Sequence, residues 1–169
     1  MLIFKFLVAI LVVCVCGQVG VRKAKRYENR EYILREALFL FKGIENEIKY
    51  GLTPLPNAIE SVRVTMKTSL KDVLGAVGYE LLQYNVQDTN IVNEIAKLDE
   101  LTPYDKQIIS SGIIELGKTD VEGQITKINM ICASLKNQLN DSIEEKKKNS
   151  KMYKTVGFAM GLMIAVVFI

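Results

Sequence analysis

Glu45 and Glu47 are the acidic pair most suggestive of chemistry, two positions apart and beside a glycine–proline break, KYGLTPLPNAI, at residues 49–59. Carboxylates that shared a proton or clasped one metal ion would form a general acid–base or hydrolytic centre. On a helix, positions two apart point to different faces, so this pair does neither without help from elsewhere. Glu31 with Arg35, and Glu144 and Glu145 ahead of Lys147, Lys148 and Lys151, have the spacing of solvated helix ion pairs. The chain contains no histidine. That removes the commonest general base and metal ligand, and it excludes a Ser-His-Asp or Cys-His triad. Cys14, Cys16 and Cys132 follow no metal spacing and no disulfide pattern, and read as small buried apolar residues. The glycine sites at Gly51 and Gly117 lack the Lys-Ser/Thr pair of a phosphate loop. A net charge of +3, without a basic stripe interleaved with aromatics, argues against nucleic acid. No enzyme, cofactor, metal or small-molecule substrate is expected. The residues point to a component that works by contact.

The elements that would position such contacts are helices. From Arg22 to Tyr50, Ile33, Ala37, Leu40, Phe41, Ile44 and Ile48 recur three and four apart along one stripe. Gly51 then offers a left-handed C-cap, Thr53 a hydroxyl cap, and Pro54 a first helical residue whose missing N–H is not needed. With Leu55 and Ala58 turned inward, this stretch is an elbow between antiparallel helices. The second helix is expected to run from Pro54 to Lys67. A third, capped by Ser69, runs to about Tyr84, and Asn85–Thr89 is a loop. A short helix capped by Asp88 or Thr89 ends near Leu98. Thr102-Pro103, with Asp105, starts a helix carrying Ile108, Ile109, Ile113 and Leu116. Gly117 stops it and Thr119 or Asp120 caps the last helix, whose seam is Val121, Ile125, Ile128, Cys132, Leu135, Leu139 and Ile143. The fold class is all-α: a bundle of about six helices over residues 22–151, large enough to bury its own core.

Both ends of the chain are apolar. Leu2 to Val21 contains one charge, Lys5, and twenty helical residues span about 30 Å, the thickness of a bilayer core. Arg22, Lys23, Lys25, Arg26 and Arg30 follow it, which places the next segment in the cytoplasm. A cleaved signal would carry its positive charge ahead of the apolar run, and LVVC at 11–14 fits a lipoprotein site poorly. Residues 152–169 form a second, shorter span preceded by Lys146, Lys147, Lys148, Lys151 and Lys154. The expected layout is a transmembrane helix at 1–21, a cytoplasmic bundle at 22–151, a transmembrane helix at 152–169, and both termini outside. Gly157 and Gly161 form a GxxxG, a spacing that lets helices approach closely in lipid and leaves a homo-oligomer open.

The run IENEIKYGLTPLPNAI at 44–59, KAKRY at 23–27, LGKTDVEGQ at 116–124 and the two terminal spans resemble the stage III sporulation protein AB family of endospore-forming bacteria. Asn57 departs from the acidic residue often found at its position in that family. The family in turn is similar to the F-type inner-membrane platform proteins of type II secretion and type IV pilus machines, which share an elbow matching Gly51, Pro54, Leu55 and Ala58. The resemblance implies a non-enzymatic platform in the mother-cell membrane, within the complex that joins mother cell and forespore. Its partners would be a cytoplasmic secretion-type ATPase and neighbouring membrane subunits. Glu45, Glu47 and Tyr50 are the candidate partner-binding residues. Leu116, Gly117, Asp120 and Gln124 form a second turn motif. A generic membrane-tethered adaptor or sensor is the alternative.

Overall fold

The computed structural model describes the backbone of residues 2–51, 53–82 and 88–168, and the side chains of these except 2–9, 12, 77, 79–82, 167 and 168. Helix α1 (Leu2–Asn46) runs into one π-helical turn (Glu47–Gly51). Then follow α2 (Leu55–Arg63), α3 (Leu70–Leu82), α4 (Asp88–Ala96), α5 (Pro103–Glu115) and α6 (Val121–Glu145). A second π-helical turn (Lys146–Ser150) joins α6 to α7 (Lys151–Phe168). Among the described residues there is no strand. The expected loop residues Asn85, Val86 and Gln87 lie outside them.

Two compact units result, one of residues Tyr32–Asn140 and one of Met1–Glu31 with Asp141–Ile169. Residues 22–31 and 141–151 therefore group with the terminal segments.

The unit Tyr32–Asn140 is an all-α bundle built on the stripe of α1: Ile33, Leu34, Ala37, Leu40, Phe41 and Ile44 are all buried. Spacing of three and four gathers them on one face, and removing that face from water drives the packing. Ile109 and Ile113 of α5 and Ile128, Cys132, Leu135 and Leu139 of α6 supply further buried side chains. The expected seam holds except at its ends, where Ile125 and Ile143 are half-buried and Val121, in the first turn of α6, is 53% exposed. The Phe41 ring reaches so close to α5 that a Cβ on Gly112 would stand 2.5 Å from Phe41 Cζ. The succession α2, α3, α4, α5 packs neighbour on neighbour, as short connections favour.

The turns are fixed by side chains that satisfy freed backbone groups. Thr102 Oγ1 accepts from Asp105 N at 3.2 Å, and Asp105 Oδ2 accepts from Thr102 N at 2.9 Å, a complete capping box around a fully buried aspartate. Between α2 and α3 the cap differs from the expected Ser69. Thr68 Oγ1 accepts from Leu70 N at 3.3 Å while donating to Glu36 of α1 at 2.6 Å. The Glu36 carboxylate also accepts from the backbone N–H groups of Lys67 and Thr68. α2 stops at Arg63 rather than Lys67. Its exit tightens into bonds from Thr65 N to Val62 O and from Met66 N to Arg63 O, which still bury Met66.

In the other unit, the first part of α1 and the chain from Asp141 onward pair as antiparallel helices. Arg30 bonds Glu145 at 2.6 Å, Lys146 bonds Glu31 at 3.0 Å, Lys154 bonds Glu28 at 3.4 Å, and the Tyr27 ring stacks on Tyr153 with centroids 5.9 Å apart. Glu31, expected to be solvated or salt-bridged, is buried and ion-paired across the two helices. Farther along, the backbones touch. A Cβ on Gly157 would lie 3.0 Å from Gly20 Cα, and one on Gly161 would lie 3.0 Å from Val13 Cα. The GxxxG is thus turned toward the chain's own first helix. Among the described residues no helix is long and apolar enough to cross a membrane. The side chains of residues 2–9 and 12 of the first expected span, and of 167–169 of the second, lie outside those residues.

Gly112→Ala forces its methyl into Phe41 and should destabilise the chain by about 1–3 kcal/mol. Adding Phe41→Leu should recover part of that loss, giving a favourable coupling in a double-mutant cycle of urea unfolding followed by circular dichroism. Strict additivity of the two changes would contradict the packing described.

Candidate functional site

Glu45 sits in the last turn of α1, where helical spacing directs it inward among apolar residues. It is buried, its carboxylate accepts from Lys49 Nζ at 2.6 Å, and the Asn129 side chain of α6 lies close enough to favour its charged form. The Lys49 bond holds its pKa below the ordinary carboxylate range, against the upward pull of burial. Lys49 is correspondingly held as the ammonium. In this position Glu45 is tied to Lys49 and faces Asn129 of α6.

The elbow follows as a widened turn. Glu47 Oε2 accepts from Thr53 Oγ1 at 2.7 Å, closing the π-helical turn onto the segment that leads to α2. A side chain at residue 51 would push on that closure, because its Cβ would stand 2.5 Å from Glu47 Oε2 and 2.9 Å from Thr53 Oγ1, both of which would have to shift. Gly51 thus leaves room for the Glu47–Thr53 bond at the corner. It does not adopt the expected left-handed conformation, since Gly117 alone among the described glycines has positive φ. Thr53 does not cap α2, because its hydroxyl is engaged by Glu47. The backbone carbonyl of Pro54 takes that place, accepting from Asn57 N at 2.9 Å and Ala58 N at 3.0 Å. Pro56 lies in the first turn, where no helical N–H bond is lost. Leu55 is half-buried, Ala58 fully buried and Asn57 exposed. Tyr50 is 83% exposed, a large amphipathic side chain standing in solvent at the corner.

The second turn motif ends α5 and begins α6. Leu116 is buried, and Gly117 takes φ +81°, a backbone conformation that residues with a Cβ adopt only under strain. Asp120 Oδ1 accepts from Gly123 N at 3.3 Å, so Asp120 is the cap of α6. Gln124 Nε2 donates to Thr119 O at 2.8 Å and stiffens the corner. Leu55 of the elbow lies against this turn, its Cδ2 3.4 Å from where a Cβ on Gly117 would be. The two motifs, 65 or so residues apart in sequence by their numbering, thus meet at one end of the bundle. Sequence reading finds each turn but not their meeting, which has no local signal. Among the described residues no group of three His, Cys, Asp or Glu is arranged to hold a metal ion. Cys132 is buried, and burial pushes its thiol pKa up, away from reactivity.

Because the folded pKa of Glu45 lies below its unfolded value, the bond to Lys49 stabilises the fold above the ordinary carboxylate pKa. That stability is lost as pH falls through the depressed folded value. Glu45→Gln should lower the urea midpoint at neutral pH and flatten its decline between pH ~5 and ~3. An unchanged acid limb would remove Glu45 from this role. Gly117→Ala should destabilise the chain by about 1–2 kcal/mol, from strain at positive φ, in the same measurement.

A family model described as stage III sporulation protein AB matches residues 5–169 of the chain. The protein named stage III sporulation protein AB from Bacillus subtilis (strain 168) is 24% identical over 164 residues, covering 95% of this chain and 96% of that relative. No solved structure matches. The match takes in the elbow, the second turn and both apolar ends, so the chain belongs to the stage III sporulation protein AB family.

Proposed function

We propose that this sporulation-family chain is a non-enzymatic membrane platform that docks a cytoplasmic secretion-type ATPase and neighbouring membrane subunits in the complex joining mother cell and forespore. One observation carries the docking surface: the elbow and the second turn converge at one end of the bundle, and Tyr50 stands there in solvent. A rigid corner presenting an exposed tyrosine is the kind of anchor that dominates protein interfaces. Glu47, half-buried and closed onto Thr53, holds that corner in one shape.

Membrane attachment is supported by the sequence of the ends. Leu2–Val21 carries a single charge, the run from Thr155 to Ile169 carries none, and each is bordered on its inner side by lysines and arginines. The close antiparallel packing of these two segments through Gly20, Gly157 and Gly161 suits lipid, where small residues let backbones approach. Residues 22–151 then lie on the cytoplasmic side of the mother-cell membrane, with both termini across it.

Tyr50→Ala should reduce co-purification of the ATPase from sporulating cells on the order of tenfold, the usual size of a hot-spot tyrosine, without shifting the unfolding midpoint. Thr53→Val, which opens the corner while keeping Tyr50, should reduce recovery less. Equal recovery with Tyr50→Ala and wild type would reject docking at this corner. Protease added to wall-stripped cells should leave the bundle intact, and its digestion would reject the orientation.

A further inference from the structure

An open cleft of about 570 Å³ lies in the unit formed by the two ends of the chain. Glu31 of α1 lines one side, and Lys146, Lys147, Ser150, Lys151 and Lys154 line the other. The cluster follows from the local fold. Residues 147, 151 and 154 fall four and three apart and so share one helical face, and the π-helical turn Lys146–Ser150 widens the helix where they emerge. Such turns recur at functional sites.

Charge in the cleft is far from balanced. The Glu31 carboxylate is matched by Lys146 at 3.0 Å, and Lys154 is shared with Glu28 at 3.4 Å. Among the described residues Lys147 and Lys151 bond no carboxylate, although both are exposed on the same concave surface. Two ammonium groups left without a carboxylate beside two paired ones, on a wall that also offers a hydroxyl, describe a receptor for an anion with several acceptor oxygens. The chain from Thr155 onward is uncharged and apolar, so the cleft opens where charged chain gives way to greasy chain. The stacked pair Tyr27 and Tyr153 lies at the same transition, a position that amphipathic rings favour at a membrane surface.

We infer that this lysine cleft binds the phosphodiester headgroup of an anionic phospholipid, with the lipid's acyl chains running beside α7. The inference rests on the membrane attachment proposed above. Lys147 and Lys151 are the binding cations, while Lys146 and Glu31 form the ion pair that fixes the cleft wall. The ligand is the lipid rather than free phosphate, because the apolar helix that begins at the mouth of the cleft has acyl chains as its natural neighbours.

The test uses full-length chain reconstituted in vesicles of phosphatidylcholine with an equal part of phosphatidylglycerol, then extracted in mild detergent. Native mass spectrometry counts the phospholipids that remain bound. Wild type should retain phosphatidylglycerol in preference to phosphatidylcholine. Lys147→Ala/Lys151→Ala should lose that retention on the order of tenfold, given about 1 kcal/mol for each lysine at a membrane surface. Lys147→Arg/Lys151→Arg should keep it, and so should Lys97→Ala/Lys136→Ala, which removes equal charge elsewhere. Retention unchanged in the Lys147/Lys151 alanine variant overturns the site, as does displacement of the lipid by millimolar inorganic phosphate. Alkaline carbonate separates the two readings. Release of wild type from the vesicles sinks membrane attachment and the cleft with it. Wild type that stays embedded yet holds no excess of phosphatidylglycerol sinks the cleft alone.

Discussion

Every helix that ends in this chain leaves backbone donors or acceptors without partners, and the way those groups are satisfied fixes where the polypeptide turns. The turns depend on a few local devices: the Thr102–Asp105 box, the Asp120 cap, the Pro54 carbonyl and the Glu36 carboxylate. Once the turns are set, the apolar stripes have one arrangement in which all of them are covered. Phe41 marks how tight that arrangement is, since a Cβ at residue 112 would stand 2.5 Å from its ring.

Much of this was legible in the sequence because capping and periodicity are local. Thr102 followed by Pro103 and Asp105, the break at Gly117 and the stripe of α1 all declare themselves within one or two turns of chain. Elsewhere a residue from outside the turn takes the group that the turn itself would use. Thr53 was free to cap α2 until Glu47 claimed its hydroxyl, and Ser69 was the natural cap of α3 until Glu36 fixed Thr68 instead. Gly51 suggests a left-handed cap by its backbone freedom, whereas in the fold its missing side chain leaves room for Glu47 and Thr53 to meet. Of the candidate site, the two turn motifs were visible but their contact through Leu55 was not. Glu31 and Glu145 read as members of local helix ion pairs and Arg30 as part of a basic flank, because sequence spacing shows partners four residues away and not partners about 115 away.

The polar residues divide into two sets of roles. Buried or half-buried acids such as Glu36, Glu45, Asp105 and Glu47 act on the fold: each holds a backbone group or a side chain from another segment. Exposed groups such as Tyr50, Asn57, Lys147 and Lys151 have little such work. A helical bundle gains from this division, because a residue committed to bracing a corner has no capacity left for another contact. The chain keeps its bracing carboxylates inside and leaves a tyrosine and lysines outside.

The pairing of the first part of α1 with the end of the chain has a topological effect on the segment between them. Tyr32–Asn140 is a closed loop whose two exits are held together by glycine contacts and by ion pairs such as Arg30–Glu145. Fastening the ends of a segment removes many of the shapes its unfolded form would otherwise explore. A covalent link closing a loop of about 100 residues is worth about 4–5 kcal/mol on that account, and a helix clasp delivers a share that grows with its own strength. A lipid environment that tightens the clasp would therefore steady the bundle without touching it.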